Sequence, residues 1–166
     1  MALFKQLVLK DAIEIKTTPE KIWEFFYNLE QNYKTWHPED HIIFQWTKGK
    51  PMEVGSNFYA EEFVMGKIKK FKGTIDEIIP NRKIVFKYSF PLFLVSPGFE
   101  WQIEPKGSNS VFTSISIVRC EKFMRKLLKY SEYKGIETLI KVGKKHVKEQ
   151  GENLKKILEN RDSAYL

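Results

Sequence analysis

The 166-residue chain is 42% hydrophobic and 30% charged with a formal net charge of +7, a balance that suits one folded domain over 1–166 and excludes a disordered or fibrous protein. Its longest charge-free stretches, 88–99 and 107–118, are far shorter than the roughly 18 residues of a membrane-crossing helix. A lone Cys120 excludes an intramolecular disulfide, and Lys5, Lys10 and Asp11 interrupt the apolar N-terminal residues where a signal peptide needs a continuous run, so the chain reads as cytoplasmic.

Residues 7–16 alternate loosely through Leu7, Leu9, Ile13 and Ile15, which predicts a strand with one face on a core. Thr17, Thr18, Pro19 and Glu20 then mark a helix start. A threonine stands at the N-cap, a proline fills the first helical position, and an acid lies in the positive first turn. Ile22, Trp23, Phe25, Phe26 and Leu29 give this helix a broad apolar face over about three turns, too short to stand free and therefore packed against something. A second short helical turn is expected over 30–36, ahead of Pro38.

From 41 to 119 the pattern is an antiparallel meander, with strands expected at 42–47, 57–65, 67–79, 83–90, 99–104 and 111–119 and turn residues at nearly every junction. Phe99, Trp101 and Ile103 alternate with Glu100, Gln102 and Glu104, so one face of the sheet is apolar and the other wet. Two prolines bracket Leu92, Phe93, Leu94 and Val95 in the run 90–97. Those side chains either fold inward or form an apolar lip. Such a lip would admit a ligand or make transient contact with an anionic membrane surface, helped by Arg125, Lys126 and Lys129 beside Phe123, Met124, Leu127 and Leu128.

A long helical tract is expected over 124–160, where Ile136, Leu139, Ile140, Val147, Leu154, Ile157 and Leu158 recur at helical spacing. Gly143 and Gly151 lie on or beside that stripe at a cost of roughly 1 kcal/mol each relative to alanine, so they mark either close approach to the sheet or empty volume. Between 119 and 148, ten Lys or Arg stand against Glu121, Glu132 and Glu137, which accounts for the whole net charge. A lysine-rich solvated helix face is the commoner meaning of such a segment, and with no nucleic-acid motif beside it no nucleic-acid partner is expected.

The order of these elements resembles the START-like superfamily, also called SRPBCC or the birch-pollen-allergen fold, and especially its polyketide cyclase/dehydrase and lipid-transport branch. The residues that carry the resemblance are Ile13-Glu14-Ile15, then Thr18-Pro19-Glu20-Lys21-Ile22-Trp23-Glu24-Phe25, then 73–86 (Gly-Thr-Ile-Asp-Glu-Ile-Ile-Pro-Asn-Arg-Lys-Ile-Val-Phe). It covers essentially the whole chain. The resemblance implies an α+β helix-grip fold: a seven-stranded curved antiparallel sheet around a long C-terminal helix, with two short helices after the first strand and an internal cavity. It implies a small hydrophobic ligand, lipid-like or aromatic, and does not name it.

The aromatic content, 14% with 13 Phe and 4 Trp, exceeds what a small core usually requires. A cavity lining is therefore expected among Phe26, Trp36, Phe58, Phe71, Phe86, Tyr88, Trp101, Ile103, Ile115 and Ile140. His37, Asp40, His41, His146 and Glu149 are of the residue types that bind zinc or iron, and His146 and Glu149 share a helix face, but no compact metal signature is present and no metal is expected. The same His37, His41, His146 and Glu149 would otherwise form a polar rim on the cavity, and surface histidines without a role are the commonest outcome. With neither a Walker loop nor a dinucleotide fingerprint, no cofactor is expected.

Three functions remain open. A binding or carrier module is the first. A cyclase- or aromatase-like enzyme, with His146, Tyr88, Glu62 or Asp76 moving protons, is the second. A co-chaperone or regulatory interaction domain is the third.

Overall fold

Ten residues with alternating burial, Gln6–Ile15, open the chain as strand β1, and the hydroxyl-rich step after them turns it into helix α1 (Pro19–Tyr27). These positions come from a computed structural model that describes residues 6–119, 121–130 and 134–163, without the side chains of 122–124, 127 and 161–163. Cys120 lies outside the described residues, as do the side chains of Phe123, Met124 and Leu127 in the expected lip.

Pro19 takes the first helical position and Thr18 has the extended N-cap conformation, but its hydroxyl does not bond a helix amide. It serves the Glu20 carboxylate, which also accepts from the Glu20 backbone N–H; the two bonds hold that carboxyl below its usual range. Helix α2 (Leu29–Trp36) follows after Asn28, and Ile22, Phe25, Phe26, Leu29, Tyr33 and Trp36 are all buried.

Strands β2 (His41–Lys48), β3 (Asn57–Val64), β4 (Lys67–Ile79), β5 (Lys83–Tyr88), β6 (Gly98–Lys106) and β7 (Asn109–Arg119) then run as an antiparallel meander. The seven-stranded sheet has the order β1-β7-β6-β5-β4-β3-β2, so β1 returns to pair with the last strand, in a register that sets Leu9 opposite Ser116 and Ile13 opposite Phe112. Register breaks at Asp76 in β4 and twice in β2 add local twist, as bulges do, and help the sheet curve. The strand expected over 83–90 stops at Tyr88, and a short 3-10 turn over Leu92–Leu94 occupies the proline-bracketed run.

The expected helix over 124–160 is two helices. Helix α3 (Lys122–Lys129) ends before Lys134 and Gly135, whose φ values of 50° and 135° no right-handed helix holds; α4 (Ile136–Ser163) then runs across the sheet. Gly143 and Gly151 are points of close approach. A Cβ at Gly143 would lie 2.5 Å from Leu9 Cδ1, and one at Gly151 would lie 3.0 Å from Ile13 Cγ2, both on β1. No helix among the described residues is long and apolar enough to cross a membrane.

The core centres on Phe26. Its ring stacks on Trp101 at 4.5 Å between centroids and meets Trp36 at 5.4 Å and Phe112 at 5.7 Å. Full burial of a phenylalanine contributes about 1.5–3 kcal/mol, so this cluster fixes α1 and α2 over one part of the sheet and leaves the rest of the sheet to α4.

Candidate functional site

Two adjoining hollows lie between the sheet and α4. The first, about 500 Å³ including its open mouth, has aromatic walls from Phe44, Phe58, Phe71, Tyr88, Phe99 and Trp101 and a polar end made by Tyr33, Glu62, His146 and Gln150. The second, about 880 Å³ on the same measure, is bounded by Leu9, Leu92, Val95, Val118, Leu128 and Leu139, with Gly143 on its wall. Phe71, Tyr88 and Ser116 border both, so the two adjoin along shared walls and together make up an apolar cleft, with its titratable groups at the end of the first.

Strand alternation explains the walls: Phe58, Phe71, Tyr88, Phe99 and Trp101 point to one face of four adjacent strands, and Tyr88, Phe99 and Trp101 pack in sequence at centroid distances of 5.3 and 5.4 Å. The polar end is assembled from distant parts of the chain. His37 follows α2, His41 opens β2, Glu62 lies on β3 and His146 on α4. The His37–His41, His37–His146 and His41–His146 ring centroids are 5.3, 5.8 and 5.7 Å apart.

His37 and His41 are 3% and 1% exposed, so they are buried and not the surface histidines expected as the commonest outcome. His37 Nε2 meets Glu149 Oε2 at 3.1 Å and Asp40 Oδ2 at 3.6 Å. His41 is sandwiched: the Tyr33 ring stacks on it at 3.9 Å, and its Nδ1–H donates to the Tyr33 carbonyl at 3.0 Å, leaving Nε2 buried without a hydrogen-bond partner. Burial pushes the His41 imidazole well below the ordinary histidine range. Burial acts in the same direction on His146, but the Glu62, Asp40 and Glu149 carboxylates outweigh it and raise that group. Asp40 is held down, chiefly by its hydrogen bond to His146. Tyr33 is pushed well above its usual range by burial and by Glu62, which accepts its hydroxyl proton.

Gln150 ties this cluster to the scaffold. Its carbonyl accepts from Trp36 Nε1 at 2.9 Å, its side-chain oxygen accepts from Ser114 Oγ at 2.6 Å, and its amide nitrogen lies 2.9 Å from His146 Nε2.

Of the residues expected to line a cavity, Phe58, Phe71, Tyr88, Trp101 and Ile115 border the cleft. Phe26, Trp36, Phe86 and Ile103 lie in the packed core, and partly buried Ile140 borders neither hollow. Asp76 is on the surface, paired with Lys87 at 2.7 Å. Sequence reasoning missed Tyr33, Gln150 and the aliphatic wall of Leu9, Val118 and Leu139. The wall residues stand on the apolar stripes already recognised, whereas Tyr33 and Gln150 carry no local signal. The proline-bracketed run divides. Leu92 and Val95 face the cleft, while Phe90, Phe93 and Leu94 are exposed, with Phe93 lying 4.5 Å under the Arg119 guanidinium.

The solved structure of major latex-like protein 151 from Panax ginseng superposes on 86% of this chain and 97% of its own, with a TM-score of 0.61 at 18% identity. The chain has the START-like, birch-pollen-allergen-like helix-grip fold. The same START-like shape is found in a Polyketide_cyc-like protein from Corynebacterium glutamicum, at a TM-score of 0.63, 17% identity and 93% coverage of both chains. It is found also in norcoclaurine synthase from Thalictrum flavum, solved in complex with dopamine and hydroxybenzaldehyde, at a TM-score of 0.59, 14% identity and 87% coverage of both. No protein-family profile and no curated protein sequence matches the chain.

Proposed function

We propose that this START-like protein binds or carries a small hydrophobic molecule, lipid-like or aromatic, in the cleft between the sheet and α4. The observation that carries the reading is the pair of adjoining hollows that share Phe71, Tyr88 and Ser116: apolar walls with titratable groups at one end suit an apolar molecule bearing one polar group. Tyr33, Glu62, His146 and Gln150 would orient that group, with His37 and Glu149 behind them. Norcoclaurine synthase, which shares the fold, was solved with two small aromatic compounds, dopamine and hydroxybenzaldehyde, which supports the aromatic form of the reading.

Native mass spectrometry of freshly purified protein, followed by organic extraction and titration with an environment-sensitive apolar dye, tests this. Bound small molecule, or dye uptake at one site per chain that Trp101→Ala weakens, supports the reading. Dye that fails to bind protein shown to be folded and empty overturns it.

A second reading, an enzyme of cyclase or aromatase type, is favoured by the titratable groups at the end of the cleft, where His146 and Tyr33 are both displaced from their usual ranges. It would require His146→Gln to abolish turnover of a bound compound while leaving its affinity within a few-fold.

The exposed Phe90, Phe93 and Leu94, together with the exposed Arg125, Lys126 and Lys129 of α3, would provide the surface by which a lipid-like ligand is collected from an anionic membrane.

A further inference from the structure

His41 Nε2 and Glu62 Oε1 face each other at 3.9 Å, and no hydrogen joins them. The Tyr33 carbonyl is only an acceptor, so the single proton of neutral His41 sits on Nδ1, and Nε2 presents a lone pair. Glu62 turns its other oxygen toward His146 Nε2 at 4.0 Å, and that nitrogen also offers a lone pair, shared with the Gln150 amide N–H at 2.9 Å. Three electron-pair donors on three separate elements thus converge within 4.8 Å of one another with no proton between them.

We infer that His41, Glu62 and His146 form a binding site for a divalent first-row transition-metal ion at the polar end of the cleft. The donor set decides the class of ion. Two imidazoles and one carboxylate suit Zn²⁺ or Fe²⁺, whereas Ca²⁺ and Mg²⁺ require a shell dominated by oxygen. At bond lengths near 2.0–2.2 Å, tetrahedral ligands stand roughly 3.3 Å apart, so closing the two Glu62 contacts by under about 1 Å and the two imidazole nitrogens by at most about 1.5 Å completes the triad. His146 is 24% exposed and has room to make that movement. Metal binding replaces its hydrogen bond to Gln150.

The supporting shell is in place. The Tyr33 carbonyl fixes the His41 tautomer, and the Tyr33 hydroxyl holds Glu62. Glu62 and His146 both border the aromatic cleft, so a coordination position left open by three protein ligands faces its interior. The alternative triad of His37, Asp40 and His146 is less apt, because His37 Nε2 is already bonded to Glu149 at 3.1 Å. The metal site does not depend on the hydrophobic-ligand reading, since it uses only the polar end of the cleft.

The test is metal binding by chelator-stripped full-length protein, using Zn²⁺ by calorimetry and Co²⁺ by its visible absorption. One ion per chain is expected, with Zn²⁺ raising the melting temperature. Glu62→Gln and His146→Gln should each weaken binding by more than the roughly 10–100-fold expected for the supporting variants Tyr33→Phe, which releases Glu62, and Asp40→Asn, which removes the carboxylate bonded to His146. His146 is partly exposed, so His146→Gln gives a folded variant if the buried positions tolerate change poorly. The inference is overturned if no stoichiometric ion binds, if Glu62→Gln binds like the parent, or if Asp40→Asn abolishes binding. Apolar-dye uptake by the metal-free protein is scored separately, so failure of the metal site and failure of the hydrophobic-ligand reading remain distinguishable.

Discussion

Trp36 Nε1–H donates to the Gln150 backbone carbonyl at 2.9 Å, joining α2 to α4 through two buried residues 114 positions apart. One turn before Gln150 stands His146, and the Gln150 side chain reaches Ser114 on β7, so this bond sets where α4 lies over the sheet and where the polar end of the cleft forms. Trp36→Phe keeps most of the apolar volume but removes the indole donor, and the Gln150 carbonyl is left with only its in-helix amide partner. Chemical denaturation should show a loss of about 0.5–1.5 kcal/mol. A loss under about 0.5 kcal/mol, the range of an ordinary surface substitution, would remove the bond from this structural role.

Gly143 and Gly151 should respond differently to the same change. A side chain at Gly143 displaces Leu9 Cδ1, the flexible end of a residue that borders the cleft, and therefore grows into open volume. Gly143→Leu should keep the helical circular-dichroism signal and lower apolar-dye affinity at least about tenfold, since loss of that contact space is worth more than roughly 1.4 kcal/mol. Gly151 is buried against Ile13 and borders neither hollow, so Gly151→Leu should cost about 1–3 kcal/mol by overpacking and leave dye affinity unchanged in the folded fraction. Equal effects of the two substitutions on dye binding would contradict the position assigned to the cleft.

This contrast marks what was legible in the sequence. The apolar faces, the proline-started helix and the turn residues all act within a few positions of one another, so the meander from β2 to β7 and its apolar face followed from local pattern, as with Phe99, Trp101 and Ile103, whereas the return of β1 to β7 followed only from the family resemblance. The polar end did not. His37, His41, Glu62 and His146 meet only because β2 and β3 form one edge of the sheet and α4 crosses toward it, and the separations between 41, 62 and 146 leave no periodic trace. Strand facing was legible to within one residue; which facing residues pack the core and which border a hollow depends on helix placement, and Phe86 and Phe99, stacked at 4.4 Å, fall on opposite sides of that division. The break between α3 and α4 was signalled by Gly135, whose φ of 135° demands glycine.

The Glu20 carboxylate makes the acid side of the stability profile informative. Bonds from its own backbone N–H and from the Thr18 hydroxyl lower its pKa in the folded protein relative to the ordinary value of 4.5. A depressed carboxylate adds stability above the unfolded-state pKa and loses it as pH falls through the folded value. Glu20→Gln should therefore melt at a lower temperature than the parent at pH 7, with the difference fading as pH drops below about 4.5. A difference that persists unchanged in acid would assign the effect to packing.

The lip of the cleft leads to the last prediction. Phe90 is 78% exposed and Leu94 41%, while Leu92 between them faces the interior, so the turn presents apolar side chains outward and inward at once. Leu92 and Leu128 border the same hollow, and Arg125, Lys126 and Lys129 on α3 are exposed. Apolar tips together with lysine and arginine favour an anionic bilayer, each basic residue near the surface adding about 1 kcal/mol. Sedimentation with phosphatidylserine-containing vesicles should bring down the parent and several-fold less Phe90→Asp/Leu94→Asp. Salt should weaken the binding, because exposed charges are screened beyond about 10 Å at 0.1 M. Both substituted side chains point to solvent, so the variant should keep its melting temperature and its dye uptake, which separates loading from holding. If the parent stays in the supernatant with every vesicle, the lip serves only as the mouth of the cleft.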